Sequence, residues 1–108
     1  GTADRVVEDA RALAAAGAFC ILMEMVTAET AERVNQAVGA VPTIGIGAGN
    51  TADGQVLVWQ DAMGVRQGRM PTFVKQFAQV GQLLEDAARA YRSEVRAGSF
   101  PADEHTFN

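Results

Sequence analysis

The stretch Phe19-Cys20-Ile21-Leu22-Met23, followed directly by Glu24, decides the fold class of this chain. A continuous apolar run of this kind is typical of a strand buried on both faces, and such strands belong to parallel sheets that helices cover. Two further short apolar stretches, at residues 41–46 and 55–60, predict a second and a third strand of the same type. The sequence therefore predicts an α/β fold with about three parallel strands.

Segments with helical periodicity flank the predicted strands. Residues 3–16 and 28–38 each place apolar side chains on one face, and a glycine that can end a helix follows each segment. Residues 71–96 carry one apolar stripe that advances by three or four positions and consists of Phe73, Phe77, Val80, Leu84, Ala87, Tyr91 and Val95. This stripe predicts a long C-terminal helical segment, buried as an ordinary helix or, alternatively, packed against a partner helix. Gly81 could kink or divide the segment.

Length, charge and composition narrow the classes of function. The chain has 108 residues with 13 acidic and 9 basic side chains, a net charge of −4, so no basic surface is available for a nucleic acid. Its apolar runs are much shorter than the roughly 20 residues of a membrane-spanning helix. With a single cysteine, we expect a reducing, cytoplasmic location. We predict that residues 1–108 form a single portion of a domain, with the aperiodic residues 98–108 as a C-terminal tail that docks through its phenylalanines.

Glu24 is the first candidate for a chemical role. It is the only charged residue between Ala18 and Val26, and it stands where the predicted first strand ends. Reactive groups collect at the carboxyl ends of parallel strands. Alternation along the strand places Glu24 on the same face as Leu22, away from the covering helices. Two interpretations stay open: a catalytic carboxylate, or a solvated loop carboxylate that merely follows a strand.

The second candidate is the glycine-rich loop Gly45-Ile46-Gly47-Ala48-Gly49-Asn50. It does not match the dinucleotide-binding pattern, because Asn50 occupies the position of the third glycine, and no lysine follows as in a P-loop. A phosphate-binding loop and a tight structural turn are both compatible with this pattern.

The remaining candidates favour structural roles. Cys20 lies in an apolar run and is predicted to be a small buried side chain. His105 is the only histidine and lies in the C-terminal tail, which argues against a serine or cysteine triad and against a histidine-based metal site in this chain. We interpret Asp53 as a turn residue and Asp61 as a capping or loop residue. Trp59 is interpreted as a core or interface residue.

Several blocks of sequence, taken together and in order, resemble one enzyme family. They are Met-Glu-Met-Val at residues 23–26, Pro-Thr-Ile-Gly-Ile-Gly-Ala-Gly at 42–49, Asp-Gly-Gln-Val-Leu-Val-Trp-Gln-Asp at 53–61, Pro-Thr-Phe-Val-Lys at 71–75 and Phe-Pro-Ala-Asp-Glu-His-Thr-Phe at 100–107. These blocks cover nearly all of the chain and resemble the carboxyl-terminal portion of the ketopantoate hydroxymethyltransferases. The resemblance implies that the fold is the C-terminal part of a (β/α)₈ TIM barrel.

The resemblance also implies an activity and a set of site residues. Members of this family are cytoplasmic enzymes of pantothenate biosynthesis, which transfer a hydroxymethyl group from 5,10-methylenetetrahydrofolate to 3-methyl-2-oxobutanoate to give 2-dehydropantoate. Glu24 matches the base that takes the C3 proton, and Gly45 and Ile46 match positions beside the substrate. Mg²⁺ binds the keto acid in this family, but its ligands lie in an amino-terminal half that is absent here, so we expect no metal ligand in this chain. Family members form homo-oligomers, described as decamers.

Three hypotheses follow for this chain. The first is a transferase that works only together with the missing half, because we expect the chain alone to be inactive. The second is an inactive fragment that serves as an assembly or interaction module through its exposed sheet edge and terminal helices. The third is a small phosphate-binding α/β domain that uses the loop at residues 45–49.

Overall fold

The computed structural model describes every residue from Gly1 to Asn108. The chain divides into two compact units, one formed by Gly1–Val58 with Pro71–Val74 and the other by Trp59–Met70 with Lys75–Asn108. The elements of the first unit are helix α1 (Thr2–Ala15), strand β1 (Ile21–Glu24), helix α2 (Ala28–Val38), strand β2 (Thr43–Ile46) and strand β3 (Gly54–Gln55). Those of the second unit are helix α3 (Trp59–Ala62), helix α4 (Val80–Ala97) and a 3₁₀ turn (Asp103–His105).

The three strands form one parallel sheet in the order β1-β2-β3, which confirms the predicted α/β class. Glu24 of β1 pairs with Ile46 of β2, and Ile44 of β2 pairs with Gly54 of β3. Successive side chains along a strand point to opposite faces, and paired residues of neighbouring strands share a face. The register therefore determines which side chains meet on each side of the sheet.

The hydrophobic core of the first unit lies on one face of the sheet. Along β1, Ile21 and Met23 are buried whereas Leu22 and Glu24 are exposed. The buried cluster continues into the helices and the glycine-rich loop, where it comprises Val7, Ala10, Ala31, Val34, Val38 and Ala48. Because the helices pack on the Ile21 side, the face that carries Glu24 is left without a helical cover in this unit.

Local interactions set the start of α2 and join it to α1. The Thr27 hydroxyl accepts a hydrogen bond from the Thr30 N–H (3.2 Å), which caps the helix where the sequence predicts its start. Arg33 of α2 donates a hydrogen bond to the Asp4 carboxylate of α1 (2.6 Å). The Arg33 guanidinium, together with the amino group of Gly1, holds the pKa of the Asp4 carboxyl below its usual range. This ion pair is exposed to solvent, so packing rather than charge holds the two helices together.

The first two strands are shorter than the sequence predicts. β1 begins at Ile21 rather than at Phe19, and β2 begins at Thr43 rather than at residue 41. The hydrogen bonds between β1 and β2 begin where the Ile21 N–H donates to the Pro42 carbonyl (3.0 Å), and the first residue pair is Ile21 with Thr43. Phe19 precedes this first pairing and has no neighbouring strand, and its side chain is 90% exposed.

The third strand is also shorter than predicted. β3 ends at Gln55, and α3 begins at Trp59 inside the stretch predicted as strand. The Val56 N–H still bonds to the Gly45 carbonyl (3.0 Å), but β2 ends at Ile46. No further residue of β2 is available as a partner, so the chain leaves the ladder.

The predicted helix over residues 71–96 is wrong in its first part, because α4 begins only at Val80. The Phe77 N–H bonds to the Ala62 carbonyl (2.7 Å), and the Val80 N–H bonds to the Met63 carbonyl (3.0 Å). These amides satisfy carbonyls at the end of α3, so the segment before Val80 does not form a helical ladder. Gly81 lies in the first turn of α4 and neither kinks nor divides it.

The sequence predicts that the apolar stripe of α4 is buried, but the structure leaves its large side chains exposed. Leu84, Tyr91 and Val95 are 57%, 61% and 45% exposed. None of the helices is both long enough and apolar enough to cross a membrane.

The C-terminal tail folds back onto the end of α4 within the second unit. The Phe100 ring lies 5.7 Å from the Tyr91 ring and 5.2 Å from the His105 ring, measured between centroids. The predicted docking of the tail therefore holds for Phe100. It does not hold for Phe107, which is 100% exposed.

Candidate active site at the carboxyl end of the sheet

Glu24 is the last residue of β1 and lies on the sheet face opposite the core, as the alternation along the strand predicts. Its carboxylate takes part in none of the ion pairs or side-chain hydrogen bonds of the chain. A carboxylate without an internal partner at this edge is free to accept a proton from a bound molecule.

The surroundings of Glu24 on this face are apolar. The register places Ile46 beside Glu24, and Ile44 beside Leu22. Val56 follows β3 and continues the ladder level with Ile46, and its side chain is 44% exposed. The face is thus built of aliphatic side chains around one carboxylate, a combination that suits a small molecule with an apolar part and an acidic C–H bond.

The two residues predicted to lie beside the substrate occupy opposite faces of the sheet. Ile46 shares the face of Glu24, whereas Gly45 is buried on the core side. A Cβ on Gly45 would lie 3.4 Å from the Ala48 Cβ and 3.4 Å from the Gln55 amide nitrogen. These are ordinary van der Waals distances, so the space at Gly45 does not by itself require a glycine.

The glycines of the loop are explained by close contacts within the chain. Gly47 has a φ of +63°, and a Cβ there would lie 2.9 Å from the Phe73 ring. Gly49 has a φ of +75°, and a Cβ there would lie 2.9 Å from the Ala28 Cβ. Both positions need a residue that adopts a left-handed conformation and has no side chain. These contacts support the interpretation of the loop as a tight structural turn.

A polar network that the sequence reasoning missed fastens the loop to β2. The Thr43 side chain is almost fully buried, and its hydroxyl donates to the Asn35 side-chain oxygen (2.7 Å). The Thr43 N–H donates to the Asp53 carboxylate (2.9 Å), and Asn35 donates to the Thr51 carbonyl (3.0 Å). The Asp53 carboxylate thus binds β2 rather than its own turn, because both of its hydrogen bonds come from Thr43. The sequence feature that could have predicted this network is the threonine inside an apolar strand, because a buried hydroxyl needs hydrogen-bond partners.

The other polar candidates lie in local structural contacts. The Asp61 carboxylate is 3.5 Å from the Arg66 guanidinium within the second unit, which is consistent with a structural role. In the tail, His105 Nδ1 accepts a hydrogen bond from the Ala102 N–H (3.1 Å). Cys20 is half-buried just before β1.

A metal site would need several donor side chains close together. The structure contains no group of three or more His, Cys, Asp or Glu side chains that could hold a metal ion. The residues of this chain therefore do not fit Mg²⁺ by themselves, since that ion prefers several oxygen ligands in octahedral geometry.

Parallel strands, a lone carboxylate at the carboxyl end of one strand and an adjoining glycine-rich loop define the class: an α/β protein with its site at the carboxyl edge of the sheet. Residues 1–103 match the family model described as ketopantoate hydroxymethyltransferase. The chain belongs to this family of transferases, as the sequence resemblance predicts.

Curated relatives agree with the family match. The chain is 59% identical over 105 residues to the 3-methyl-2-oxobutanoate hydroxymethyltransferase of Arthrobacter sp. (strain FB24), covering 97% of this chain and 35% of that protein. It is 57% identical over 105 residues to the protein of the same name from Nocardioides sp., with coverage of 97% and 35%. It is 50% identical over 103 residues to that of Corynebacterium glutamicum, with coverage of 95% and 38%. The chain thus spans little more than a third of the length of these relatives.

Proposed function

We propose that this chain is the part of a ketopantoate hydroxymethyltransferase that supplies the proton-accepting carboxylate, Glu24. The proposed reaction transfers a hydroxymethyl group from 5,10-methylenetetrahydrofolate to 3-methyl-2-oxobutanoate and gives 2-dehydropantoate. The relatives are named 3-methyl-2-oxobutanoate hydroxymethyltransferases, which supports the acceptor and the transferred group. The observation that carries the role of Glu24 is its place as the one carboxylate on an otherwise apolar sheet face.

The proposed step at Glu24 is a proton transfer from carbon. The carboxylate accepts the proton from C3 of the keto acid, and the electrons of the C–H bond stay in the substrate as an enolate. Water adds to the methylene carbon of the donor, both of its bonds to folate nitrogens break, and tetrahydrofolate leaves the one-carbon unit as formaldehyde. C3 of the enolate then forms a carbon–carbon bond to the formaldehyde carbon, and the carbonyl oxygen takes up a proton and becomes the new hydroxyl group. Glu24 suits this step because no internal ion pair has to be broken before the carboxylate approaches the C–H bond.

We propose that Ile46 contacts the branched alkyl part of the keto acid. Ile46 is the cross-strand neighbour of Glu24, and Val56 lies next to it at the same level of the sheet. A substrate whose C3 lies against the carboxylate therefore places its methyl groups on these aliphatic side chains, which also keep water away from the developing enolate.

Mg²⁺ and the folate donor are proposed from the family resemblance. No three His, Cys, Asp or Glu side chains of this chain lie together as a donor set, and we propose that residues outside this chain supply the ligands of Mg²⁺. No part of the step assigned to Glu24 depends on a metal ligand from this chain. A cytoplasmic location is proposed on the same resemblance.

We further propose that the chain is the carboxyl-terminal portion of a (β/α)₈ barrel. The alternation of helices with parallel strands supports this, as does the coverage of 35% and 38% of the relatives. The outer edge of β1 and the apolar face around Glu24 would be covered by the remaining strands of the barrel.

An inactive assembly or interaction module is the second candidate function. The exposed apolar side chains of α4, including Leu84 and Tyr91, favour it. The same side chains support the proposal that the whole protein is a homo-oligomer. The assembly module and the oligomeric transferase therefore rest on the same observation, and only catalytic activity distinguishes them. The third hypothesis, a phosphate-binding domain, has no such support, because Gly47 and Gly49 pack against Phe73 and Ala28.

The test of the proposed function is the exchange of the C3 proton of 3-methyl-2-oxobutanoate in D₂O with Mg²⁺, followed by NMR. In the full-length protein that carries this chain, we expect Glu24→Gln to slow exchange by about 10²-fold or more, the size of a general-base contribution. Glu32→Gln is the matched control, since it neutralises an exposed carboxylate on α2, and its exchange rate should equal that of the wild type. An unchanged rate in Glu24→Gln would contradict the assignment of the base.

Mixing experiments separate the transferase from the assembly module. If the chain alone gives no exchange and the remaining part of the protein restores it, the transferase hypothesis is supported. If the chain self-associates and the combined parts give no exchange, the assembly hypothesis is supported.

A further inference from the structure

Met25 has the only left-handed backbone conformation among the non-glycine residues, with a φ of 54°. It follows Glu24 directly, and its N–H bonds to the Ile46 carbonyl (2.9 Å), so the turn occurs at the end of the β1–β2 ladder. Glycine adopts this conformation freely, whereas a residue with a Cβ is strained in it. The Met25 side chain is 71% exposed, so core packing does not compensate for the strain. Strain of this kind clusters at ligand sites.

Met25 lines a groove at the carboxyl end of β1 and β2. The groove has a volume of about 450 Å³, and its walls include Met25, Gly47, Gly49, Thr72 and Phe73. That volume lies within the range of roughly 300–1,000 Å³ that small-molecule sites occupy. Met25 directly follows Glu24 in the chain, so the groove lies at the same edge of the sheet as the residue proposed to take the proton.

The side chains of the groove suit a flat heteroaromatic ring. The Phe73 ring packs on the bare backbone of Gly47, where a Cβ would lie 2.9 Å away, so this backbone contact holds the ring. Aromatic rings stack in offset or edge-to-face geometry, and a methionine sulfur makes favourable contacts with ring edges. The Thr72 hydroxyl is a further polar group on the wall that can meet ring nitrogen or amide atoms.

We propose that this groove binds the reduced pterin ring of the one-carbon donor and that Met25 and Phe73 contact that ring. The inference rests on the proposed function and adds the place where the donor binds. A donor held in this groove presents its one-carbon unit to the carbon from which Glu24 removes the proton. Met25 is retained in a strained turn because its side chain serves the groove.

The experiment uses the full-length protein that carries this chain, with the variants Met25→Gly and Phe73→Leu. The readouts are the KM for 5,10-methylenetetrahydrofolate, the KM for the keto acid, and the Kd of tetrahydrofolate used as a binding probe. We expect the donor KM and the tetrahydrofolate Kd to rise at least tenfold in both variants, and the keto acid KM to rise much less. Met25→Gly removes the backbone strain, so its thermal midpoint should equal or exceed that of the wild type while donor binding is lost.

Met63→Ala is the matched control, because Met63 is a partly exposed methionine outside the groove and its removal should leave the donor KM unchanged. A donor KM within twofold of the wild type in both groove variants would overturn the proposal, and so would an equal rise in the KM of both substrates. Exchange of the C3 proton of the keto acid, measured without the folate donor, shows whether the donor site or the proposed function is wrong. If exchange depends on Glu24 and the groove variants bind the donor normally, only the donor site is wrong; if exchange does not depend on Glu24, the proposed function is wrong.

Discussion

Gly49 shows how one residue can hold the glycine-rich loop against helix α2. Its φ of +75° is nearly the same as that of Gly98, at +76°, but the surroundings differ. A Cβ on Gly49 would lie 2.9 Å from the Ala28 Cβ, whereas nothing lies within 4 Å of a Cβ on Gly98. Alanine at Gly98 would therefore show the cost of left-handed strain alone, whereas alanine at Gly49 would show that cost together with a steric clash.

We predict that Gly49→Ala destabilises the protein more than Gly98→Ala does. Both substitutions place a Cβ in the left-handed region, at a cost of about 1–2 kcal/mol. Gly49→Ala adds overpacking against Ala28, which costs a further ~1–3 kcal/mol. Urea unfolding of the two variants checks this. Equal losses of stability would mean that α2 moves aside without cost.

At the scale of single residues, the sequence predicts positions better than it predicts conformations. The position of Glu24 at the end of a strand is evident from sequence because a charge after an apolar run is unusual. Alternation along the strand also predicts the sheet face on which Glu24 lies. The strain at Met25 is not evident, since left-handed backbone is set by the contacts at the end of the sheet. The network of Asn35, Thr43 and Asp53 joins residues that are distant along the chain, and only the fold brings them together.

At the scale of elements, local signals predicted α1 and α2, and non-local contacts decided the rest. Both helices follow from apolar periodicity, and the start of α2 also follows from the Thr27 cap, signals that act within a few residues. The end of β3 depends on the length of β2, and the start of α4 depends on carbonyls of α3. Apolar periodicity before Val80 therefore predicted a helix that hydrogen bonds to another segment replace.

For Gly81→Ala, helix propensity and the contacts in the structure predict changes of opposite sign in the free energy of unfolding. From sequence, Gly81→Ala should stabilise α4 by roughly 0.5–1 kcal/mol, because glycine inside a helix is unfavourable. In the structure a Cβ on Gly81 would lie 2.6 Å from the Val65 carbonyl oxygen and 2.8 Å from that of Gly64. These are backbone atoms, so we expect a net loss of about 1–2 kcal/mol.

Thermal unfolding of the Gly81→Ala variant measures this loss as a lower midpoint. Ser93→Ala on the same helix is the control, since Ser93 is exposed and the change should give a slight gain from helix propensity. A higher midpoint for Gly81→Ala would mean that the start of α4 does not pack against the residues after α3.

At the scale of the whole molecule, two apolar surfaces of the chain lack a cover. One is the sheet face with Leu22, which is 58% exposed, and the other is the stripe on α4 with Leu84 and Tyr91. Monomeric proteins rarely leave large contiguous apolar patches in water, so we propose that further polypeptide covers both surfaces. The sequence predicted the helical stripe, but periodicity alone does not distinguish burial within the chain from burial against a partner.

The stripe on α4 gives a test of the proposed homo-oligomer. Leu84 and Tyr91 are seven residues apart and therefore lie on one side of the helix. We predict that Leu84→Glu in the full-length protein lowers the assembled mass measured by light scattering, because a buried, unpaired carboxylate at a subunit contact is strongly unfavourable. The helix itself should persist in circular dichroism, since Leu84 is 57% exposed within the chain. Ser93→Glu adds the same charge on the opposite side of the helix, because each residue turns the chain by about 100°. An assembled mass that falls with Leu84→Glu but not with Ser93→Glu assigns the stripe to the contact between subunits, whereas an unchanged mass in both variants places that contact elsewhere.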